Sequence, residues 1–139
     1  MNSTNKTNSN VVESENIIEL KYIGNSGNSI NVTTLNGGKI LVECKDVDAM
    51  VNLLDASNNT LQITDSYLNL KKESSLIAGN VEIERTGKLS GDVKVNRNNV
   101  ILKNSQISTD EDIVGGSIID NQKDNYVGNA SVDYNKVEI

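Results

Sequence analysis

After residue 60 the apolar residues come in doublets with one residue between them. Leu61/Ile63, Leu68/Leu70, Val81/Ile83, Val93/Val95 and Val100/Leu102 each place two side chains on one face of a short strand. The doublets begin 7, 13, 12 and 7 residues apart, with the single apolar residues Leu76, Leu89, Ile107 and Ile113 among them. Gly79-Asn80, Thr86-Gly87, Gly91-Asp92 and Asn98-Asn99 lie in the gaps, and Gly and Asn tolerate the left-handed backbone that sharp corners need. Short strands this closely spaced fold as rungs of a β-solenoid or as hairpins in a β-sandwich. Either way Leu61, Ile63, Leu68, Leu70, Leu76, Val81, Ile83, Leu89, Val93, Val95, Val100 and Leu102 are expected to point inward.

Composition supports strands and removes most chemistry. The 139 residues carry a net charge of −6, with 22 Asn, four Ala, one Cys and no His, Trp, Phe or Pro. Val, Ile and Leu supply most of the hydrophobic content, and β-branched residues favour strands. Without His there is no Ser-His-Asp or Cys-His nucleophile and no imidazole metal ligand. One Cys excludes an internal disulfide and a multi-Cys zinc site. The acidic balance and the missing Phe and Trp argue against nucleic acid. No apolar run is longer than three residues, as at Val100-Ile101-Leu102, far short of the roughly 20 residues of a membrane span, so no membrane insertion is expected. Met1-Asn2-Ser3-Thr4-Asn5-Lys6 has no apolar stretch of a secretion signal, so the expected location is a virion or a host cytoplasm.

The first half reads differently. Residues 1–16 are polar apart from Val11 and Val12 and recover little of their ordering entropy alone. They are expected to form an N-terminal arm, with Val11, Val12 and Ile17 as its assembly contacts, dispensable for folding. Ile17–Ile23 reads as a strand, Gly24–Asn28 as a turn, and residues 29–35 and 39–44 as a hairpin closed by Asn36-Gly37-Gly38. Val47, Met50, Val51 and Leu54 fall at helical spacing after an Asp46 N-cap, which predicts one short helix over about 46–56. The division expected is 1–16 as arm, 17–72 as hairpin plus helix, and 73–139 as β-rich repeats, the last two able to form one domain. At the C-terminus Val132, Tyr134, Val137 and Ile139 form a candidate terminal pairing strand.

No constellation of side chains demands chemistry. Cys44 beside Lys45 reads as a small strand hydrophobe. Asp110, Glu111, Asp112, Asp120 and Asp124 lack Ca²⁺-loop spacing and read as a solvated loop. Glu82, Glu84 and Asp92 could pair for glycoside cleavage, but Glu82 and Glu84 fall on the polar face of a strand. No phosphate-binding glycine motif occurs. The expectation is no catalytic residue, no metal and no cofactor.

Within residues 79–107, the stretch from Val81 to Val93 (VEIERTGKLSGDV) resembles the rung pattern of bactofilins, bacterial polymer-forming cytoskeletal proteins with a right-handed β-helix core. Asn98 to Ile107 (NNVILKNSQI) is similar to a coil of pectate-lyase-like right-handed β-helices, a pattern frequent in phage tail spikes. The first resemblance implies end-to-end polymerisation without nucleotide. A pectate-lyase-like enzyme would need more coils and a carboxylate-bound Ca²⁺ site. The fold expected is therefore mainly β, solenoid-like or sandwich-like in the C-terminal half. The function expected is a non-catalytic, self-associating structural protein, first as a bacteriophage virion component such as a capsid decoration, fibre or tail accessory protein. The alternatives are a bactofilin-like filament protein and a carbohydrate-binding module. The expected partners are copies of itself and other structural proteins of the assembly.

Overall fold

The computed structural model describes residues 3–6, 10–32, 34–44, 47–70, 75–108, 113–121 and 126–139. The chain winds as a coil of parallel strands. The first turn carries β1 (Ser3–Lys6), β2 (Asn10–Val12), β3 (Ile17–Lys21), β4 (Ile30–Val32) and β5 (Leu35–Cys44). The second carries β6 (Val47–Asp55), β7 (Thr60–Thr64), β8 (Tyr67–Leu70) and β9 (Leu76–Arg85). The third carries β10 (Leu89–Lys94), β11 (Asn99–Lys103), β12 (Gln106–Ser108) and β13 (Ile113–Asp120). A further half-turn carries β14 (Tyr126–Val127), β15 (Ala130–Ser131) and β16 (Lys136–Glu138).

Each strand pairs in parallel with its counterpart one turn away, which makes four sheets running along the coil. The first sheet holds β1, β2, β6, β10, β14 and β15, and the second holds β3, β7, β11 and β16. The third holds β4, β8 and β12, and the fourth β5, β9 and β13. A parallel pair needs a long crossover; here the crossover of every pair is the remainder of one turn. Each sheet takes strands from both sides of residue 72, so the two halves read from the sequence share one body.

All twelve residues expected to point inward are buried. Ile40, Leu54, Ala56, Val81, Ile83, Leu89, Val93 and Val95 form one apolar cluster. Leu61, Ile63, Leu68, Leu70, Leu76, Ala78, Val100 and Leu102 form a second. Fully buried asparagines stand in the interior as well. Asn59 donates from its backbone N–H and from Nδ2 to Asn98 Oδ1 (2.9 and 3.0 Å). Asn98 donates in the same way to Asn135 Oδ1 (2.9 and 3.0 Å), and Asn16 to Asn59 Oδ1 (3.2 and 3.0 Å). The rungs are 43, 39 and 37 residues apart. The second Nδ2 proton of Asn59, Asn98 and Asn135 goes to the carbonyls of Glu13, Ala56 and Val95.

The ladder occupies space that glycine leaves. Gly38, Gly79 and Gly116 pair in register across the fourth sheet. A Cβ on Gly38 would stand 2.6 Å from Asn59 Nδ2, one on Gly116 2.6 Å from the Asn135 carboxamide, and one on Gly79 would collide with Asn98. Each ladder residue follows a corner residue in the left-handed region: Glu15, Asn58, Arg97 and Tyr134, with φ between 58° and 61°. A second column of such corners, Tyr22, Asp65 and Asn104, precedes Ile23, Ser66 and Ser105. There a serine ladder takes over: Ile23 N–H donates to Ser66 Oγ and Ser66 N–H to Ser105 Oγ, both at 3.0 Å.

Three expectations from the sequence are corrected. The helix over 46–56 is absent: Val47–Asp55 is β6, and Asp46 lies outside the described residues. Opposite β10, one extra residue of β6 is accommodated between Met50 and Leu53, which pair with Ser90 and Asp92. That bulge flips the strand's phase. Half-buried Val51 and buried Leu54 both meet the core although three residues apart, while Met50 is exposed, and a strand of period two thus imitates a helical spacing. Second, Asn36-Gly37-Gly38 closes no hairpin. β5 runs through it in register with β9, because Gly38 is needed for the Asn59 side chain and Gly37 for the Ala78 carbonyl. Third, residues 10–16 are not an appendage. β2 pairs with β6, Glu13 N–H donates to Asp55 O (2.8 Å), and Asn16 is the first rung of the ladder.

Asn98→Ala strips acceptors from two buried donors of Asn59 and a donor from Ala56 O. A loss of about 3 kcal/mol in chemical denaturation is expected, given about 1–3 kcal/mol for each buried polar group left unpaired. Gly79→Val, which overfills the same slot, is expected to cost at least about 2 kcal/mol by the same measurement. Deletion of residues 1–15 removes the β1 and β2 pairings and the Glu13 acceptor, so its thermal melt should lie clearly below that of the full chain.

Candidate functional site: the two ends of the coil

A coil of parallel strands has two ends, and each exposes strand edges. At the N-terminal end, β3, β4 and β5 are the outermost strands of their sheets. At the C-terminal end the outermost strands are β14 and β15, β16, β12 and β13. An unpaired row of N–H and C=O groups is a template for another strand.

Inward-facing columns also stop uncovered at these ends. The column Ile18, Leu61, Val100, Val137 is closed in the middle, where Leu61 and Val100 are fully buried, while Val137 is 39% exposed. Leu20, Ile63 and Leu102 are in register in the next column, and Ile139, one residue beyond β16 and two beyond Val137, stands at 97% exposure. In the first sheet Val11, Leu54, Val93 and Ala130 make a third column, with Val11 38% exposed.

The asparagine ladder ends with unused groups of opposite kind. Among the described residues nothing donates to Asn16 Oδ1 at the N-terminal end, and the Asn135 backbone N–H has no acceptor at the C-terminal end. The ladder is thus directional. Charges flank the edges: on the outward face of β3, Lys21 Nζ lies 3.0 Å from Glu19 Oε1, a hydrogen bond that raises the Lys21 pKa above its ordinary value.

Of the residues singled out in the sequence, Val11 belongs to an inward column, whereas Val12 and Ile17 face outward, 50% and 74% exposed. Val137 lies in β16, paired with Val100. Val132 and Tyr134 precede that strand, and Tyr134 is the fourth member of the left-handed corner column, with the Arg97 guanidinium 5.4 Å from its ring centroid. An open cavity of about 580 Å³ is lined there by Arg97, Asn98, Asn99, Tyr134 and Lys136.

The carboxylates disperse. Glu82 pairs with Lys39 at 3.1 Å, Asp92 Oδ1 accepts the Asn129 N–H, and Glu84 is exposed. Asp110, Glu111, Asp112 and Asp124 lie outside the described residues. Asp120 holds the fully buried Arg85 side chain through two hydrogen bonds (3.2 and 2.9 Å), while Arg85 also donates to Gly87 O. That pair ties the corner after β9 to β13. Among the described residues no helix is long and apolar enough to cross a membrane.

A scan of protein-family models and searches of curated proteins and of solved structures each found no match to this chain. The repeat that builds the site does not show in strand spacings of 7 to 13 residues, because its period is a whole turn. Aligned by turns, Gly38-Lys39-Ile40, Gly79-Asn80-Val81 and Gly116-Ser117-Ile118 repeat one pattern.

Removing the Asp120 carboxylate takes away the ion-pair partner that stands 2.9 Å from the buried Arg85 guanidinium. Asp120→Ala should therefore cost about 3–5 kcal/mol in chemical denaturation, the range for breaking one side of a buried ion pair.

Proposed function

We propose that this chain is a non-catalytic structural subunit that associates with copies of itself and with other structural proteins of a larger assembly. The class that fits best is a bacteriophage virion component: a capsid decoration, fibre or tail accessory protein. The observation that carries the reading is that inward columns of the coil run uncovered to both ends, where strand edges and an exposed Ile139 stand ready for a partner. Parallel coils suit a scaffold because each turn needs only its neighbours for its core and hydrogen bonds. No side chain is called on to do chemistry, and the chain lacks His altogether.

A bactofilin-like filament protein shares this physics, and the continuous passage of residues 79–107 through β9, β10 and β11 into β12 favours keeping it as the second reading. The two part at the particle: a virion component is recovered with purified phage, and a cytoskeletal filament is recovered with the cell.

The test is sedimentation velocity and negative-stain microscopy of the purified chain at tens of micromolar. Oligomers or fibres well above the 15.1 kDa protomer are expected. A strict monomer over that range overturns the self-associating reading.

A further inference from the structure

The open ends carry more information than the readiness to associate. Resting on the reading above, we propose that the partner at the C-terminal end is the N-terminal end of a second copy of this chain, so that copies stack head to tail with one polarity. Three features point to this arrangement.

The first is the direction of the ladder. Each rung donates from the N–H and Nδ2 of one asparagine to the Oδ1 of the asparagine one turn later. The group left over at the C-terminal end is the donor Asn135 N–H, and the one left over at the N-terminal end is the acceptor Asn16 Oδ1. Head-to-tail stacking satisfies both with the bond used inside the coil. Two N-terminal ends would oppose acceptor to acceptor, and two C-terminal ends donor to donor, each leaving polar groups unpaired where water is excluded.

The second feature is the content of the columns. Each inward column ends, as it begins, in an apolar residue. Ile17, Thr60, Asn99 and Lys136 are in register, so a next turn supplied by a second copy sets its Ile18 over Val137 and its Leu20 over Ile139. In the first sheet its Val11 falls over Ala130. The side chain of Ile139, 97% exposed in the isolated coil, then enters the column of Leu20, Ile63 and Leu102. Glu138 faces Glu19 of the second copy, a carboxylate that Lys21 already neutralises at 3.0 Å.

The third feature is the reach of the final half-turn. β14, β15 and β16 raise the first two sheets by one strand, whereas β12 and β13 remain the last strands of the other two. A second copy entering with β1, β2 and β3 meets strands at the right height on the first two sheets. Its β4 and β5 stand over a slot one strand high, about 4.8 Å, above β12 and β13. The joint is therefore one-sided, made by the first two sheets.

The test uses thiol crosslinking in a Cys44→Ser background. Ile17→Cys and Lys136→Cys are outward-facing positions that the proposed joint makes neighbours, within the roughly 7 Å Cα separation a disulfide requires. Inside one copy they lie three strand spacings apart, about 14 Å, and cannot join. Mixing the two single-Cys proteins under mild oxidation should give the mixed dimer, and the doubly substituted chain should give a ladder of multimers on a non-reducing gel. Ile139→Asp should leave the thermal melt unchanged at dilutions where copies are separate and lower the crosslink yield roughly tenfold or more, the equilibrium worth of burying an isoleucine. Disulfides formed within each single-Cys protein in place of the mixed dimer would show ends of the same kind meeting and would overturn the polarity while self-association stands. Oligomers by sedimentation with no crosslink of either kind would overturn the joint alone. A monomer by sedimentation overturns both the joint and the reading beneath it.

Discussion

The interaction on which the rest depends is the hydrogen bond from one buried asparagine to the next. A polar carboxamide inside an apolar coil is costly unless every donor and acceptor is used. Here Asn59 and Asn98 use theirs fully, and in doing so they specify the register of each turn on the one below. A slip by one residue would turn the apolar doublets outward and would also break the rung. The glycine column makes the bond possible, since a methyl group at Gly38 or Gly116 would occupy the place of the carboxamide. Asparagine, glycine and the left-handed corner residue before each rung therefore act as one device repeated every turn.

That device explains what the sequence revealed and what it hid. The inward positions from Leu61 to Leu102 were legible because strand alternation survives in doublets whatever the strands pair with. The corners were largely misread: Gly79-Asn80 and Gly91-Asp92 lie inside β9 and β10, and the left-handed positions fall instead at Asn58, Asp65 and Asn104, residue types that accept a positive φ, and at Glu15, Tyr22, Arg97 and Tyr134, which carry no such signal. The short helix was misread because the β6 bulge put Val51 and Leu54 on the core side at a spacing of three. The Asn36-Gly37-Gly38 turn was misread because glycine here answers a demand for space and not for a bend. The ladder itself was lost among 22 asparagines, of which four of the described ones form rungs at 43, 39 and 37 residues. Asn16, counted with a polar tail, is the residue that makes the tail part of the coil.

The distribution of burial ranks the parts of the molecule. The second turn and the early third are covered on both sides and hold the fully buried Leu, Ile and Val residues. The first turn and the last half-turn are covered on one side only. In a stack where each turn touches only its neighbours, stability falls toward the ends. The ends are thus the part of the fold with most to gain from company, and the buried Arg85–Asp120 pair secures the third turn against the second just before the chain rises into its open half-turn.

One feature of the ladder reaches beyond stability. Its rungs keep the same hydrogen bonds although the turns that separate them shrink from 43 to 39 to 37 residues. The core therefore sets no fixed length for a turn; it asks only that the asparagine return to its place opposite a glycine. The residues gained and lost between rungs are carried by the β6 bulge and at corners such as the Gly24–Asn28 excursion with its Asn25–Asn28 bridge, which has no counterpart among the described residues of the later turns. A chain built in this way can lengthen, shorten or replace what it displays at its rim, one turn at a time, while the interior goes on reading the same four words.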